Sequence, residues 1–294
     1  VRNGHSILFT IFTVYQNFRR FCVYMLCFPN CKINLGLYVT RKRDDGYHDI
    51  ETVFLPIHVR DILEIVPARV SQLHQTGLSV AGNNTDNLVW KACRLLAAKY
   101  PDRIPALDIY LHKIIPMGAG LGGGSADGAF MLRLLNDYCQ LQLSDGALAA
   151  LALELGSDCP FFIYNTPCFA SGRGEQLMSI QLDLSAYSIQ IICPKVHVST
   201  AAAFKMLTAR PAPFDLKQLH TLPVEQWHGK ISNDFEGPVF AAHPALAAIK
   251  KQLYEQGAIY VSMSGSGSAI FGIFTKLNKA TIVSDIYYET FYQD

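Results

Sequence analysis

Residues 116–125 read Pro-Met-Gly-Ala-Gly-Leu-Gly-Gly-Gly-Ser, with five glycines in the seven positions from Gly118 to Gly124. So few side chains let the backbone N–H groups close on a ligand. An alternating, strand-like stretch from Leu107 to Ile115 runs in, and helix formers from Ala126 to Tyr138 run out. A glycine loop that ends on a helix N-terminus binds anions, because free amides and the positive dipole end face the same point. Phosphate is the natural guest.

Two familiar glycine patterns nearly fit. Gly118, Gly120 and Gly123 satisfy the dinucleotide spacing, but that motif belongs to the first strand–helix turn of its fold and wants an acid about 20 residues on. Here more than a hundred residues precede the loop, and Asp137 and Asp145 fall in helical or turn sequence. The spacing to Ser125 imitates a P-loop, except that the required lysine is Gly124. A cation for the phosphates must come from elsewhere. A glycine-rich connection with no ligand is the alternative, and the entropic cost of so much glycine argues against it.

Stepping outward, alternation from Cys31 places Ile33, Leu35, Leu37 and Val39 on one face and Lys32, Asn34 and Tyr38 on the other, as in a half-buried strand. Arg41–His48 is a polar turn punctuated by Asp45-Gly46. Strands follow at 50–57 and 61–66, and Asn83–Asn87 caps a helix over 88–99. Ser144 starts a helix that stops at Leu155-Gly156. Ser157-Asp158-Cys159-Pro160 then leads into a short strand, Phe161 to Tyr164. Two strands within 169–182 meet at Gly172-Arg173-Gly174, read as a structural turn. The pattern restarts with a strand at 189–193. A helix from Thr200, a proline-punctuated loop over 211–223, and helices near 234–242 and 244–256 come next. Strands at 258–262 and 268–274 flank a second glycine loop, Ser264–Ser268.

The 294 residues are half hydrophobic, 17% charged and carry a net charge of +1, so a sizeable core is available. The lack of a long basic run argues against a nucleic-acid partner, and no apolar stretch reaches the ~20 residues of a membrane helix. Eight cysteines form no C-x-x-C pair, and buried free thiols, as in a reducing cytoplasm, fit better than a metal site at Cys27, Cys31 and His48. Residues 1–28 carry no orderly pattern and are expected to be an extension outside the fold. A first domain is expected over 29–183 and a second over 184–294.

Pro116–Ala126 resembles the ATP loop of the kinase superfamily named for galactokinase, homoserine kinase, mevalonate kinase and phosphomevalonate kinase, and Met263–Ala269 resembles its C-terminal glycine motif. Pro29-Asn30-Cys31-Lys32-Ile33-Asn34-Leu35 and Asp45-Gly46-Tyr47-His48, with Thr52 downstream, are similar to the 4-diphosphocytidyl-2-C-methyl-D-erythritol kinase branch. The likeness covers roughly 28–275. Departures are Asn30-Cys31 before the lysine and Gly128 in place of alanine. The resemblance implies an α+β fold of two α/β domains with the active site in the cleft between them. It implies ATP and Mg²⁺ as cofactors and a small-molecule substrate.

The same resemblance implies residue roles. Pro116, Met117, Gly118, Ala119, Gly120, Leu121, Gly122, Gly123, Gly124, Ser125 and Ala126 would bind ATP, with Ser125 on the metal. Asp158 would be the catalytic base, against a plain reading as a turn or cap aspartate. Lys32 would keep Asp158 ionised and stabilise the developing alkoxide. Tyr47 and Phe204 would stack a cytosine, His48 would read its edge, and Asn34 and Thr200 would complete the substrate site. A homoserine- or mevalonate-type kinase is the rival within the superfamily, and the Asp-Gly-Tyr-His turn argues against it. A catalytically dead sensor is the rival outside it, and retention of both Lys32 and Asp158 argues against that.

Overall fold

The computed structural model describes residues 25–79, 83–276 and 278–293. The expectation for residues 1–24 lies outside these. Residues 25–28, however, belong to the fold. Met25–Cys27 forms strand β1 and pairs antiparallel with β4, Ile62–Pro67, in the register Met25 to Ile65. Three residues are too few to show a period, which is why the sequence does not reveal them.

Two four-stranded sheets precede residue 184. The first has the order β1-β4-β6-β5, where β5 is Gln72–Gly77 and β6 is Leu107–Lys113; β5 and β6 run parallel and the other pairs antiparallel. Its inner face packs on α1, Leu88–Lys99; α2, Gly123–Tyr138; α3, Asp145–Leu155; and α4, Cys159–Tyr164. The second sheet is β2-β3-β7-β8, formed by Asn30–Lys42, His48–Arg60, Cys168–Ser171 and Gln176–Ser179, all antiparallel. A third, β10-β11-β9-β12, takes Tyr260–Met263, Ile270–Thr275, Tyr187–Pro194 and Tyr288–Gln293. No sheet among the described residues crosses 183/184. A shared core nevertheless joins the halves: Ile33 and Leu35 of β2 and Ala119 and Leu121 of the glycine loop cluster with Ile189, Ile191 and Phe271 of the third sheet. The remaining helices are α5, Thr200–Lys205; α6, Glu236–Ala242; and α7, Pro244–Glu255.

Two expectations are corrected. Strand β2 is not half-buried: every residue from Asn30 to Val39 is buried. Its apolar face packs into the cores shared with the second half, while the glycine loop covers Lys32 and Asn34. Residues 161–164 belong to helix α4, not to a strand. Pro160 sits in its first turn, where its fixed φ favours a helix and its missing N–H costs nothing, and Asn165 stops it in a left-handed conformation. The aromatic run Phe161-Phe162 satisfies either period, so the proline is the signal that decides. β5 and β12 are edge strands in which only Leu73 is buried, so neither carries a clear alternation to read.

Candidate active site

The glycine loop is shaped by what lies against it. Gly118, Gly120 and Gly122 have φ of +69°, +80° and +70°, a region that L side chains rarely adopt. A Cβ on Gly120 would fall 2.0 Å from the Ser264 carbonyl oxygen, so the two glycine loops meet backbone against backbone. Ser264 Oγ donates to the Gly120 carbonyl at 2.8 Å, and the Ala269 N–H donates to that of Ala119 at 3.0 Å. At Gly122 a side chain would crowd Phe162 at 3.0 Å and the Lys32 stem at 3.2 Å. Gly124 differs: a Cβ there would meet only the flexible end of Met117 at 3.2 Å. Internal packing therefore does not require glycine at the position where a P-loop carries lysine. Helix α2 begins at Gly123 with no side-chain cap, which leaves its first amides for an anion. Ser125 is the third residue of that helix.

Lys32 stands behind the loop, 3% exposed. Its Nζ donates to Asn34 Oδ1 at 2.6 Å and to the Gly120 carbonyl at 3.0 Å, and lies 3.6 Å from Asp158 Oδ2. Burial lowers its pKa, and the neighbouring Asp158 carboxylate opposes that shift. Asp158 precedes α4 but its side chain makes no capping bond, so the plain role of a cap aspartate is not the one it plays. Its carboxylate is about one-third exposed, and Gly156 and Ser157 just before it line the cavity described below. Gly174 stands opposite, where a Cβ would come within 3.5 Å of Asp158 Oδ1.

Asn34, expected in the substrate site, is buried beside Lys32. It is 2% exposed, its Oδ1 accepts from Lys32 and its Nδ2 donates to Thr52 Oγ1 at 2.9 Å. Thr52 in turn donates to the Gly36 carbonyl, and the Asn34 N–H donates to Ser264 Oγ. Both polar atoms of the side chain are thus engaged, one by Lys32 and the other by Thr52. Thr200 Oγ1 is 2.8 Å from Ser266 Oγ and ties the start of α5 to the second glycine loop. That loop is also held by Asn233, whose Nδ2 donates to the carbonyls of Met263 and Gly265, both at 2.8 Å.

Tyr47, His48, Thr200 and Phe204 share one cavity of about 950 Å³ with Ser157 and Arg173. Tyr47 is 57% exposed, and the Arg173 guanidinium lies 5.0 Å from its ring centre. His48 is stacked on Phe204, centroids 4.9 Å apart and planes 17° from parallel. Phe204 meets Phe235 edge-on at 4.8 Å. The cavity thus brings together four of the predicted substrate residues, plus an arginine that the sequence reading left in a structural turn.

Beneath the loop lies a group that sequence reasoning missed. Lys113 Nζ bridges Asp61 and Asp127, all three essentially buried, and Asp61 Oδ1 accepts from the N–H groups of Ile114 at 2.6 Å and Ile115 at 2.9 Å. Burial pushes the Asp127 carboxyl up to about 8. One signal was available: Lys113 shares parity with Leu107, Ile109 and Leu111, so it had to face inward. A buried lysine implies a carboxylate partner. Among the described residues no cluster of His, Cys, Asp and Glu could hold a metal by itself, and Cys27, Cys31 and His48 do not converge.

Residues 87–166 match the GHMP kinases N terminal domain and residues 222–293 the GHMP kinases C terminal domain. The 4-diphosphocytidyl-2-C-methyl-D-erythritol kinase of Parabacteroides distasonis is 52% identical over 252 residues, which cover 86% of this chain and 92% of that protein. The protein of the same name from Cytophaga hutchinsonii is 44% identical over 85% of this chain and 92% of its own length. A solved structure of 4-(cytidine 5'-diphospho)-2C-methyl-D-erythritol kinase superposes with a TM-score of 0.71 and 32% identity, covering 85% of this chain and 90% of that one. Homoserine kinase from Cytophaga hutchinsonii, at 17% identity and a TM-score of 0.61 over 90% and 95% of the two chains, shares the fold.

Proposed function

The chain belongs to the 4-diphosphocytidyl-2-C-methyl-D-erythritol kinases, within the GHMP kinases, and from that membership we propose how its residues divide the work. The reaction is ATP-dependent phosphorylation of the 2-hydroxyl of 4-diphosphocytidyl-2-C-methyl-D-erythritol, a step of the non-mevalonate route to isoprenoids. Residues 25–183, with strand β1 included, form the ATP-binding domain, and the residues from 184 onward form the second domain.

The observation that carries this reading is the position of one atom. Lys32 Nζ touches the phosphate loop at Gly120 and the Asp158 carboxylate together. Phosphoryl transfer needs charge neutralisation, in-line positioning and a group to take the hydroxyl proton. The loop amides and the N-terminus of α2 receive the transferred phosphate. Asp158 accepts or orients the hydroxyl proton. Lys32, 3.6 Å from the Asp158 carboxylate, offers positive charge to the developing alkoxide.

The donor set fits Mg²⁺, which commonly takes one or two protein oxygens and fills its shell with phosphate oxygens and water. Ser125, at the loop's end, would hold it. When bound, the ion neutralises charge on the transferred phosphoryl group.

The cytosine lies in the cavity of Tyr47, His48 and Phe204, with Thr200 at its edge. A substrate without a base would leave those rings unused, which separates this reading from a homoserine- or mevalonate-type activity. The thiols of Cys27, Cys31, Cys93, Cys139, Cys159, Cys168 and Cys193 are all free, which supports a reducing, cytoplasmic location. The test is ADP release with the cytidine substrate set against homoserine and mevalonate. Turnover confined to either of the latter would overturn the assignment.

A further inference from the structure

The hairpin between β7 and β8 turns over Gly172, Arg173 and Gly174, and it is tied to more than its own strands. The Ile50 N–H, two residues after His48, donates to the Gly172 carbonyl at 2.7 Å. Glu175 Oε2 accepts from the Arg173 N–H at 2.6 Å, and the Gly174 N–H donates to the Ser171 carbonyl at 3.1 Å. Only the last of these bonds closes the turn. The first fastens it to β3 beside the substrate cavity, which Ile50 and Arg173 both line. The second fixes the backbone from which the arginine side chain starts.

Tyr47 is held unevenly. Its backbone is fixed on both sides: the Arg43 N–H donates to the Tyr47 carbonyl at 2.8 Å, and the Tyr47 N–H donates to Asp45 Oδ1 at 3.1 Å. Its exposed ring has the Arg173 guanidinium at 5.0 Å, and among the described residues no other ring or cation stands over it. Arg173 is free for that contact. Its one ion pair among the described residues, Nε to Glu175 Oε1, is 3.9 Å long, beyond a hydrogen bond. An exposed ring must be ordered when a base stacks on it, and that ordering weakens binding. A planar guanidinium against one face orders the ring in advance and leaves the other face for the base.

We propose that Arg173 is a positioning residue for base recognition: it braces Tyr47 from one face, presents the other face to the cytosine, and does not itself bind the substrate. The inference rests on the reading of this cavity as the cytosine site. It orders the stack as guanidinium, tyrosine ring, base and Phe204. It also gives the β7–β8 turn a task, since the same turn that carries Arg173 sets Gly174 against Asp158. A cation over an aromatic face at an exposed site is worth roughly a two- to fivefold change in affinity.

The experiment is steady-state kinetics on Arg173→Ala, Arg173→Lys, Tyr47→Ala and the double variant Arg173→Ala with Tyr47→Ala. Free cytidine, which has no phosphate, serves as a competitive inhibitor in each. Arg173 sits at the tip of a hairpin, so its variants keep the fold. Arg173→Ala is expected to raise the substrate KM and the cytidine Ki by the same factor, about two- to fivefold, with kcat near that of the wild type. Lysine keeps the charge but not the planar face, so Arg173→Lys should restore affinity only in part. In the Tyr47→Ala background, Arg173→Ala should add nothing. A rise in KM that persists in that background, or that leaves the cytidine Ki unmoved, would mean that Arg173 touches the substrate directly, and the assignment is overturned. A fall in KM for Arg173→Ala would overturn it too, because the guanidinium would then be covering the face that the base needs. If Tyr47→Ala itself leaves the substrate KM unchanged, the cavity is not the cytosine site and both readings fall.

Discussion

Lys32 Nζ lies 3.6 Å from Asp158 Oδ2, although the two residues are 126 positions apart (158 − 32) and reach the cleft from a buried strand and a helix entrance. The lysine is buried and the carboxylate is about one-third exposed. An ammonium shielded in this way cannot wander, whereas the aspartate keeps one side free for a hydroxyl. Asp158→Asn should therefore lose roughly 10²–10⁴ in kcat, the usual worth of general-base catalysis. The ATP KM should hardly move, because the loop holds the nucleotide. A smaller loss would make Asp158 chiefly a positioning group, as a dissociative transfer allows. Full activity in the Asn variant would reject both roles.

Asn34 acts on the chemistry through Lys32. Its Oδ1 holds Nζ at 2.6 Å, and Thr52 anchors its other end. Asn34→Ala should lower kcat by about 10²-fold, the cost of a reacting group misplaced by about 1 Å. Both KM values should remain near those of the wild type. The opposite split, a raised substrate KM with unchanged kcat, would mean that Asn34 touches the substrate directly.

Much of this site could be read before any coordinates. The glycine loop carries its message in its own spacing, whereas Asp158 and the Tyr47-His48 turn take their roles from the resemblance to the kinase family. Lys32 was found, but its surroundings were not, because alternation along β2 speaks to one face only. The other face is buried by a loop more than 80 residues away, and no local pattern encodes that. The same holds for Asn233, which shapes the second glycine loop through two carbonyls. Helix α4 was missed for a different reason: four apolar residues fit a strand and a helix equally well, and only Pro160 decides. Long-range contacts, not propensity, account for most of what stayed hidden.

The two glycines at the centre of the loop should respond differently. Gly120→Ala puts a methyl 2.0 Å from a backbone oxygen at φ +80°. The left-handed backbone alone costs about 1–2 kcal/mol, and the clash must separate the two glycine loops. A Tm lowered by several degrees and loss of turnover are expected. Gly124→Ala has only Met117 to displace, so its Tm should stay near that of the wild type while the ATP KM rises. Equal melting curves for the two variants would contradict this account of why the loop is glycine.

The buried thiols give a dependence on pH. Burial pushes Cys31 and Cys168 up to about 12 from an ordinary 9.0. The folded state thus holds these protons more tightly than the unfolded one. The sign follows: the contribution is fully present below pH 9 and is lost as pH rises from 9 toward 12. At pH 8 both thiols stay protonated, and a disulfide reagent should reach them only after denaturant is added. Urea midpoints at pH 8 and pH 10, for the wild type and for Cys31→Ala with Cys168→Ala, check the sign. Rapid reaction of both thiols in the native protein would show that this part of the core opens readily.

The substrate cavity makes the sharpest demand, because its rings are already in contact with each other. His48 stacks on Phe204 at 4.9 Å, and Arg173 lies over Tyr47 at 5.0 Å. A cytosine that stacks between Tyr47 and Phe204 must replace the histidine on that ring, and the displaced imidazole then meets the edge of the base. Stacking contributes on the order of 1–3 kcal/mol per ring. Tyr47→Ala and Phe204→Ala should each raise the substrate KM by about one to two orders of magnitude at that energy, with the ATP KM nearly constant. His48→Ala removes a competitor for the Phe204 face as well as a reader of the base. Its loss in affinity should therefore be smaller than that of Tyr47→Ala. Its preference for cytidine over uridine analogues should narrow, because a mismatched base no longer leaves a buried polar group unpaired. Steady-state kinetics with each analogue on the three variants separates these effects. If the ATP KM rises instead while the cytidine substrate is unaffected, the Asp45–His48 turn serves the nucleotide and the cytosine lies elsewhere.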